Sequence, residues 1–176
     1  MSETPDTGSG LAVGPVSIEV DAPAALVYQM LCAIGQGSSR PGERVEVVSR
    51  DGDELVCEFW SLVPLPVGRA RVAHTREAVR FVPPDTVAYR HLDGPVRGLE
   101  ETITAHPVDE RRTRLEYRAV HPGGGWLARL RARLARPLIE RVVRDHFADL
   151  KDRAEVRARR SRVFAPSGPV SGELVR

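Results

Sequence analysis

Two glutamates, a histidine and two tyrosines fall where strand alternation turns them to one side of a sheet. In the run Thr113 to His121, Leu115, Tyr117 and Ala119 form the apolar set, while Arg114, Glu116 and Arg118 suit water. His121 is therefore expected on the inner face, near the strand's end. In Gly98 to His106, the apolar set of Leu99, Ile103 and Ala105 carries Glu101 inward with it. In Thr86 to Leu92, the set Val87, Tyr89 and His91 is preferred over Ala88, Arg90 and Leu92, because Arg90 belongs in solvent. Asp51-Gly52 predicts a two-residue hairpin turn that pairs Val47 with Val56 and Val45 with Glu58. With both valines inward, Glu58 and Trp60 follow.

The inner face thus gathers Glu58, Trp60, Tyr89, His91, Glu101 and Tyr117. A carboxylate removed from water is costly unless paired or hydrogen-bonded, so two of them beside an imidazole point to proton transfer. Trp60, Tyr89 and Tyr117 supply walls for a planar or hydrophobic ligand. A plainer reading stands beside each: Glu58 or Glu101 at a splayed, wet sheet end, His91 bonded to a neighbouring backbone group, the aromatic residues simply packing. The run Arg69 to Phe81 stays open. A four-residue loop, Val82 to Asp85, puts His74, Arg76 and Arg80 on the face of His91; a loop one residue longer or shorter brings in Thr75, Glu77 and Val79 instead.

These positions need a sheet to hold them. Val16 to Asp21 alternates as a strand, and Asp21-Ala22-Pro23 opens a helix carrying Leu26, Val27, Met30, Leu31 and Ile34 at helical spacing. Strands over Glu43 to Arg50 and Glu54 to Ser61 follow, then the four extended runs after the Pro64 and Pro66 loop. Gly123-Gly124-Gly125 leads into a helical region lasting to about Arg160. Its stripe of Leu127, Leu130, Leu134, Leu138, Val142, Phe147, Leu150 and Ala154 is apolar, and Pro137 is expected to kink or divide it. Strand, helix, six strands, long helix is an α+β order. Short turns imply an antiparallel meander, and one amphipathic helix can bury its stripe only if the sheet of about seven strands curls around it. The expected organisation is a polar tail over 1–14, one domain over 15–162 and a flexible tail over 163–176.

Composition narrows the function classes. A hydrophobic content of 41% supports a proper core. Cys32 and Cys57 are far apart, without metal-ligand spacing, and read as small buried hydrophobes in a reducing compartment. No cofactor or metal is expected. No apolar run approaches the ~20 residues that span a bilayer, and the first residues lack a signal pattern, so a cytoplasmic protein without stable membrane insertion is expected. Residues 125–163 hold eleven arginines and Lys151 against five acids. With no aromatic stacking platform beside them, they read as a solvated helix face, and nucleic acid is not an expected partner.

Three stretches, VSIEVDAPAALVYQML, TVAYRHLDGP and VRDHFADLKDR, resemble the opening strand and helix, a central strand and turn, and the terminal helix of one superfamily. The chain is similar over residues 14–160 to the helix-grip START and Bet v 1-like domains, nearest to the polyketide aromatase/cyclase and polyketide cyclase/dehydrase branch. The resemblance implies a curved sheet gripping the last helix and an internal pocket for a small hydrophobic or polyketide-like ligand. It implies aldol closure and loss of water by acid–base chemistry, with an acyl carrier protein as a further partner and a monomer or homodimer. Non-catalytic carriage or sensing of a lipid, quinone or aromatic metabolite is the other activity this superfamily holds. Some members use a strand arginine, a last-strand histidine and a terminal-helix aspartate. Arg76 matches the first, with Arg80 the alternative, and Asp149 the last. The histidine position is Ala119 here, a departure for which His121 or His91 stands in. Arg76, His91, Glu101, His121 and Asp149 are thus the catalytic candidates, and Glu58, Trp60, Tyr89 and Tyr117 the ligand-binding ones.

Overall fold

The computed structural model describes residues 10–35, 42–63, 70–121 and 126–163. Its elements run β1 (Leu11–Val20), α1 (Ala24–Cys32), β2 (Arg44–Asp51), β3 (Glu54–Val63), β4 (Arg71–Val82), β5 (Thr86–Asp93), β6 (Glu100–Pro107), β7 (Thr113–His121) and α2 (Trp126–Val163). One seven-stranded antiparallel sheet has the order β1-β7-β6-β5-β4-β3-β2. Strands β2 to β7 form an uninterrupted meander, as their short turns require, and β1 adds beside β7. This is the expected α+β helix-grip arrangement, with the curved sheet and the long terminal helix in place.

β1 begins earlier than its sequence suggests. Residues 11–13, read as part of a tail, pair with the end of β7, Leu11 opposite His121. Gly14-Pro15 looks like a strand breaker but forms an irregularity between Val13 and Val16, with Gly14 at φ +88°. An added Cβ there would lie 3.0 Å from the Tyr117 carbonyl oxygen, so glycine fits both the angle and the close approach.

Two registers decide which side chains face inward. In the β2–β3 hairpin the turn residues are Gly52 and Asp53, since Asp51 pairs with Glu54, and a bulge falls between Val47 and Ser49. Val47 therefore meets Cys57 and Val45 meets Phe59, one residue away from the expected pairs. Cys57 and Phe59 take the inner face, and Glu58 and Trp60 turn to the other. Between β4 and β5, Val82 pairs with Thr86, leaving a three-residue connection of Pro83, Pro84 and Asp85. That choice of loop length turns Thr75, Glu77 and Val79 inward.

The core lies between the inner face of the sheet and the helices. Val13, Val16 and Val20 of β1 join Val79, Val87, Leu115, Phe147, Leu150 and Ala154, all buried. α2 packs along β1 and touches β7; α1 packs on β5, β6 and α2. Polar ties fix the helix on its strand: Lys151 Nζ donates to the Glu19 carbonyl (2.6 Å), and the Asp21 N–H donates to Glu155 Oε1 (3.1 Å). The Thr113 hydroxyl, fully buried, donates to the Ala22 carbonyl at the entry to α1 (2.7 Å).

α2 runs as one 38-residue helix through Pro137, so of the expected kink or division the proline does not bring the division. Pro137 is exposed, so the missing N–H costs a ladder bond without a clash in the core. The apolar stripe does not stay continuous, however. Past Pro137 it is buried by Phe147, Leu150, Ala154 and Ala158, whereas Leu130 and Leu134 before it are exposed.

Leu115 is fully buried on β7 between Ile18 and Ala105. Replacing it with alanine is expected to cost about 2–5 kcal/mol through lost transfer energy and a residual cavity. Urea denaturation checks this: the midpoint should fall at unchanged slope, and a loss below about 1 kcal/mol would contradict the packing described.

Candidate acid–base site

Four neighbouring strands contribute one polar side chain each to a cluster on the inner face. Glu77 (β4) stands directly opposite His91 (β5), and Tyr89 of β5 is opposite Glu101 of β6. Tyr117 of β7 is one inward position from Ala119, the residue opposite Glu101. Main-chain bonds pin the His91 end of this arrangement: its N–H donates to the Leu99 carbonyl, and its carbonyl accepts from the Gly98 N–H, each at 2.9 Å.

His91 sits between the two carboxylates. Its Nδ1 is 3.3 Å from Glu77 Oε1, and its Nε2 is 3.4 Å from Glu101 Oε2. Both ring nitrogens are shut off from solvent, and neither makes a well-directed hydrogen bond, so the contacts are electrostatic. His91 and Glu77 are each only 7% exposed and the Glu101 side chain 15%, which excludes the reading of a wet sheet end for Glu101. The Tyr117 hydroxyl, on a side chain 1% exposed, donates to Glu101 Oε1 at 2.8 Å, and the Thr75 hydroxyl donates to Glu77 Oε1 at 2.5 Å. Each carboxylate thus has one hydroxyl donor and one face on the imidazole.

The electrostatics follow from burial. Desolvation pushes the Glu77 carboxyl above the usual carboxylate range, opposed by His91 and the Thr75 hydroxyl. Burial pulls the His91 imidazole down, but Glu101 and then Glu77 outweigh it, and the net shift is upward. Tyr117 is raised by burial and by the charge and hydrogen bond of Glu101; Tyr89 is raised by burial and by both glutamates. The cluster therefore holds protons tightly and offers a donor and an acceptor within one dry patch. The carboxylates lie on opposite ring nitrogens, so their oxygens do not converge. Among the described residues, no group of side chains is arranged to hold a metal ion.

The structure brings together His91, Glu101 and Tyr117 of the sequence candidates, with Tyr89 packed beside them. It separates others. Arg76 is exposed on the opposite face, across from Glu58 in the register, because the three-residue turn after β4 reverses the facing that Arg76 needs; Arg80 is exposed likewise. Glu58 and Trp60 share that opposite face through the bulge in β2. There Glu58 Oε2 is 3.5 Å from His74 Nε2, Trp60 stacks on His74 with centroids 4.8 Å apart, and Arg44 lies over the Trp60 ring. Asp149 pairs with Arg153 along α2 at 3.1 Å, while its neighbours Phe147 and Leu150 take the core side. His121 is half-buried at the end of β7, one inward position beyond Ala119. Glu77 and Thr75 enter the site as the alternative inward set that the sequence left open, although neither was among the candidate site residues. Their signal is the turn Pro83-Pro84-Asp85, whose length sets their facing.

Because the folded-state values of both His91 and Glu77 are raised, the folded protein binds more protons than the unfolded chain once pH rises past their ordinary ranges. Stability from this cluster is present at low pH and is lost as pH climbs through the raised His91 value. Thermal or urea unfolding at about pH 6 and about pH 9 is expected to show lower stability at the higher pH. His91→Ala should cost about 3–5 kcal/mol near neutrality, because it leaves two buried carboxylates with a single hydroxyl donor each and no cation between them, and should flatten that pH dependence. Equal stability at both pH values would contradict the assignment.

The family described as polyketide cyclase/dehydrase and lipid transport matches residues 15–155. No curated protein matches the sequence. Among solved structures, the Zhui aromatase/cyclase from Streptomyces sp. R1128 is similar with a TM-score of 0.62 at 22% identity, over 92% of this chain and 100% of that one. A START superfamily protein from Mycobacterium smegmatis has a TM-score of 0.57 at 14% identity, covering 85% and 99%. Norcoclaurine synthase from Thalictrum flavum, solved with a transition-state analogue, also has a TM-score of 0.57, at 15% identity over 85% and 98%. At these identities the structures establish the fold, and the family match spans most of the chain. The seven-stranded sheet, the terminal helix and this match agree: the chain belongs to the polyketide cyclase/dehydrase and lipid transport family.

Proposed function

We propose that this protein binds a small hydrophobic or aromatic molecule bearing enolisable carbonyls and promotes its aldol cyclisation and dehydration by acid–base chemistry. The observation that carries this reading is His91, buried with a carboxylate on each ring nitrogen and Tyr117 bonded to one of them. A purely structural core gains little from such a group, since apolar residues of equal volume pack there without desolvating three ionisable side chains. The family's description and the aromatase/cyclase among its structural relatives support the same chemistry.

In this scheme a glutamate carboxylate removes the proton α to one carbonyl. The resulting enolate carbon bonds to a second carbonyl carbon of the same molecule. The oxygen of that carbonyl takes a proton from the His91 imidazolium and becomes a hydroxyl. With the proton gained by the carboxylate passed back to the His91 imidazole, a carboxylate takes a further α proton while the imidazolium protonates the hydroxyl, which leaves as water, and a carbon–carbon double bond forms. In each round the proton taken replaces the one given, so the cluster returns to its starting state. Tyr117 stabilises the developing oxyanion. Arg76 and Asp149 take no part, and His121 is kept as a group near the strand end that orients the ligand. An acyl carrier protein delivers the substrate to a cytoplasmic monomer or homodimer.

The second reading, a carrier or sensor, draws on the lipid-transport part of the family's description and on the absence of a buried arginine or lysine among the described residues. One experiment separates the two. The protein is incubated with a reconstituted polyketide synthase, and products are resolved by mass spectrometry. Wild type is expected to convert uncyclised product to a dehydrated cyclic one. Glu101→Gln and His91→Ala should each slow this by about 10²–10⁴-fold, while Arg76→Ala stays within about twofold of wild type. An unchanged product profile with wild type would sink the enzyme reading; bound ligand without turnover would favour the carrier.

A further inference from the structure

The first turns of α2 present an apolar face that nothing among the described residues covers. Trp126, Leu130 and Leu134 follow one another at intervals of four, which places them along one side of the helix over about 12 Å. They are 73%, 47% and 70% exposed, whereas Phe147 and Leu150 of the same helix are 3% and 7% exposed. Residues 126–139 also carry four arginines, at positions 129, 131, 133 and 136, and no acid, Arg136 being paired with Glu140 just beyond them. Arg133, between the two leucines, is exposed.

We infer that this segment docks the protein on an anionic lipid surface, lying in the interface without crossing it. The combination of tryptophan and leucine on one side with arginine as the only charged residue is that of an interfacial helix. Charge decides between occupants. A second copy laid stripe to stripe would bring two acid-free, arginine-rich segments together, and like charges oppose that pairing. An anionic bilayer complements the net positive charge of this segment while accepting the leucines and the indole at the headgroup boundary. A convex row of leucines needs no shaped groove in a fluid surface, whereas an acidic protein would have to provide one. No helix among the described residues is long and apolar enough to cross a membrane, so attachment is peripheral.

The test is flotation of the full chain with phosphatidylcholine vesicles, with and without a quarter share of phosphatidylglycerol. Binding is expected only to the anionic vesicles and should weaken with added salt. The double variant Leu130→Ser, Leu134→Ser should lower partitioning about tenfold or more while the circular dichroism spectrum and melting temperature stay unchanged. Should that variant unfold, a Trp60→Phe protein reports through Trp126 alone, whose emission is expected to shift to the blue on anionic vesicles only. Failure to bind anionic vesicles, equal binding to neutral ones, or full retention of binding by a folded double variant would overturn the proposal. So would a wild-type dimer, measured by light scattering, that the double variant converts to monomer, because a second copy would then own this face.

Discussion

Placing two carboxylates and an imidazole inside an aliphatic core is the constraint around which this sheet is organised. Each charge taken from water costs several kcal/mol, and that penalty is offset only when partners stand at short, fixed distances. Here each partner sits on a different strand. Glu77, His91, Glu101 and Tyr117 come from β4, β5, β6 and β7, four consecutive positions in the sheet order. A slip of one residue at any of these three interfaces would carry a member to the opposite face and leave the others unpaired. The turn Pro83-Pro84-Asp85 and the main-chain bonds of His91 to Leu99 and Gly98 hold two of those interfaces in register.

The helices serve the same arrangement. α1 packs on β5 and β6, the strands that bear His91 and Glu101, and its entry is tied to β7 by the Thr113 hydroxyl. α2 is fixed along β1 by Lys151 and Glu155 and buries Phe147, Leu150 and Ala154 against the sheet. With hydrocarbon on these sides, the cluster lies in a low-dielectric setting where a single proton strongly changes the interactions of its neighbours. That is the property an acid–base site needs: donor and acceptor held apart, dry, and already oriented.

Much of this was legible in the sequence, and the exceptions share one cause. Alternation in Gly98 to His106 and Thr113 to His121 is clean, so the facing of Glu101 and Tyr117 could be read directly. His91 followed from the solvent preference of Arg90. Glu58 and Trp60 went to the wrong face, and the facing of Arg76 stayed open, because facing in a meander is inherited through turns. A bulge near Val48 and a loop one residue shorter than a four-residue loop each reverse a whole strand. Neither is marked by a distinctive residue: the bulge lies in an ordinary run of valines, and two prolines followed by an aspartate suit either loop length. Glu77 was concealed by the same ambiguity. The early start of β1 was masked by Gly14-Pro15, which reads as a break in one dimension and packs against Tyr117 in three. In α2, periodicity alone ran the leucine stripe through Pro137, although among the described residues Leu130 and Leu134 are exposed and packing against the core begins with Ile139.

The central claim is that His91 is gripped by both glutamates, and its own titration tests that most directly. The shift of the His91 ring carbon can be followed by nuclear magnetic resonance from acid to alkaline pH, in wild type and in Glu101→Gln. The arrangement described here predicts a wild-type midpoint above the usual imidazole value of about 6.5 and a clear fall when Glu101 loses its charge. A wild-type midpoint at or below that value, unmoved by Glu101→Gln, would contradict it.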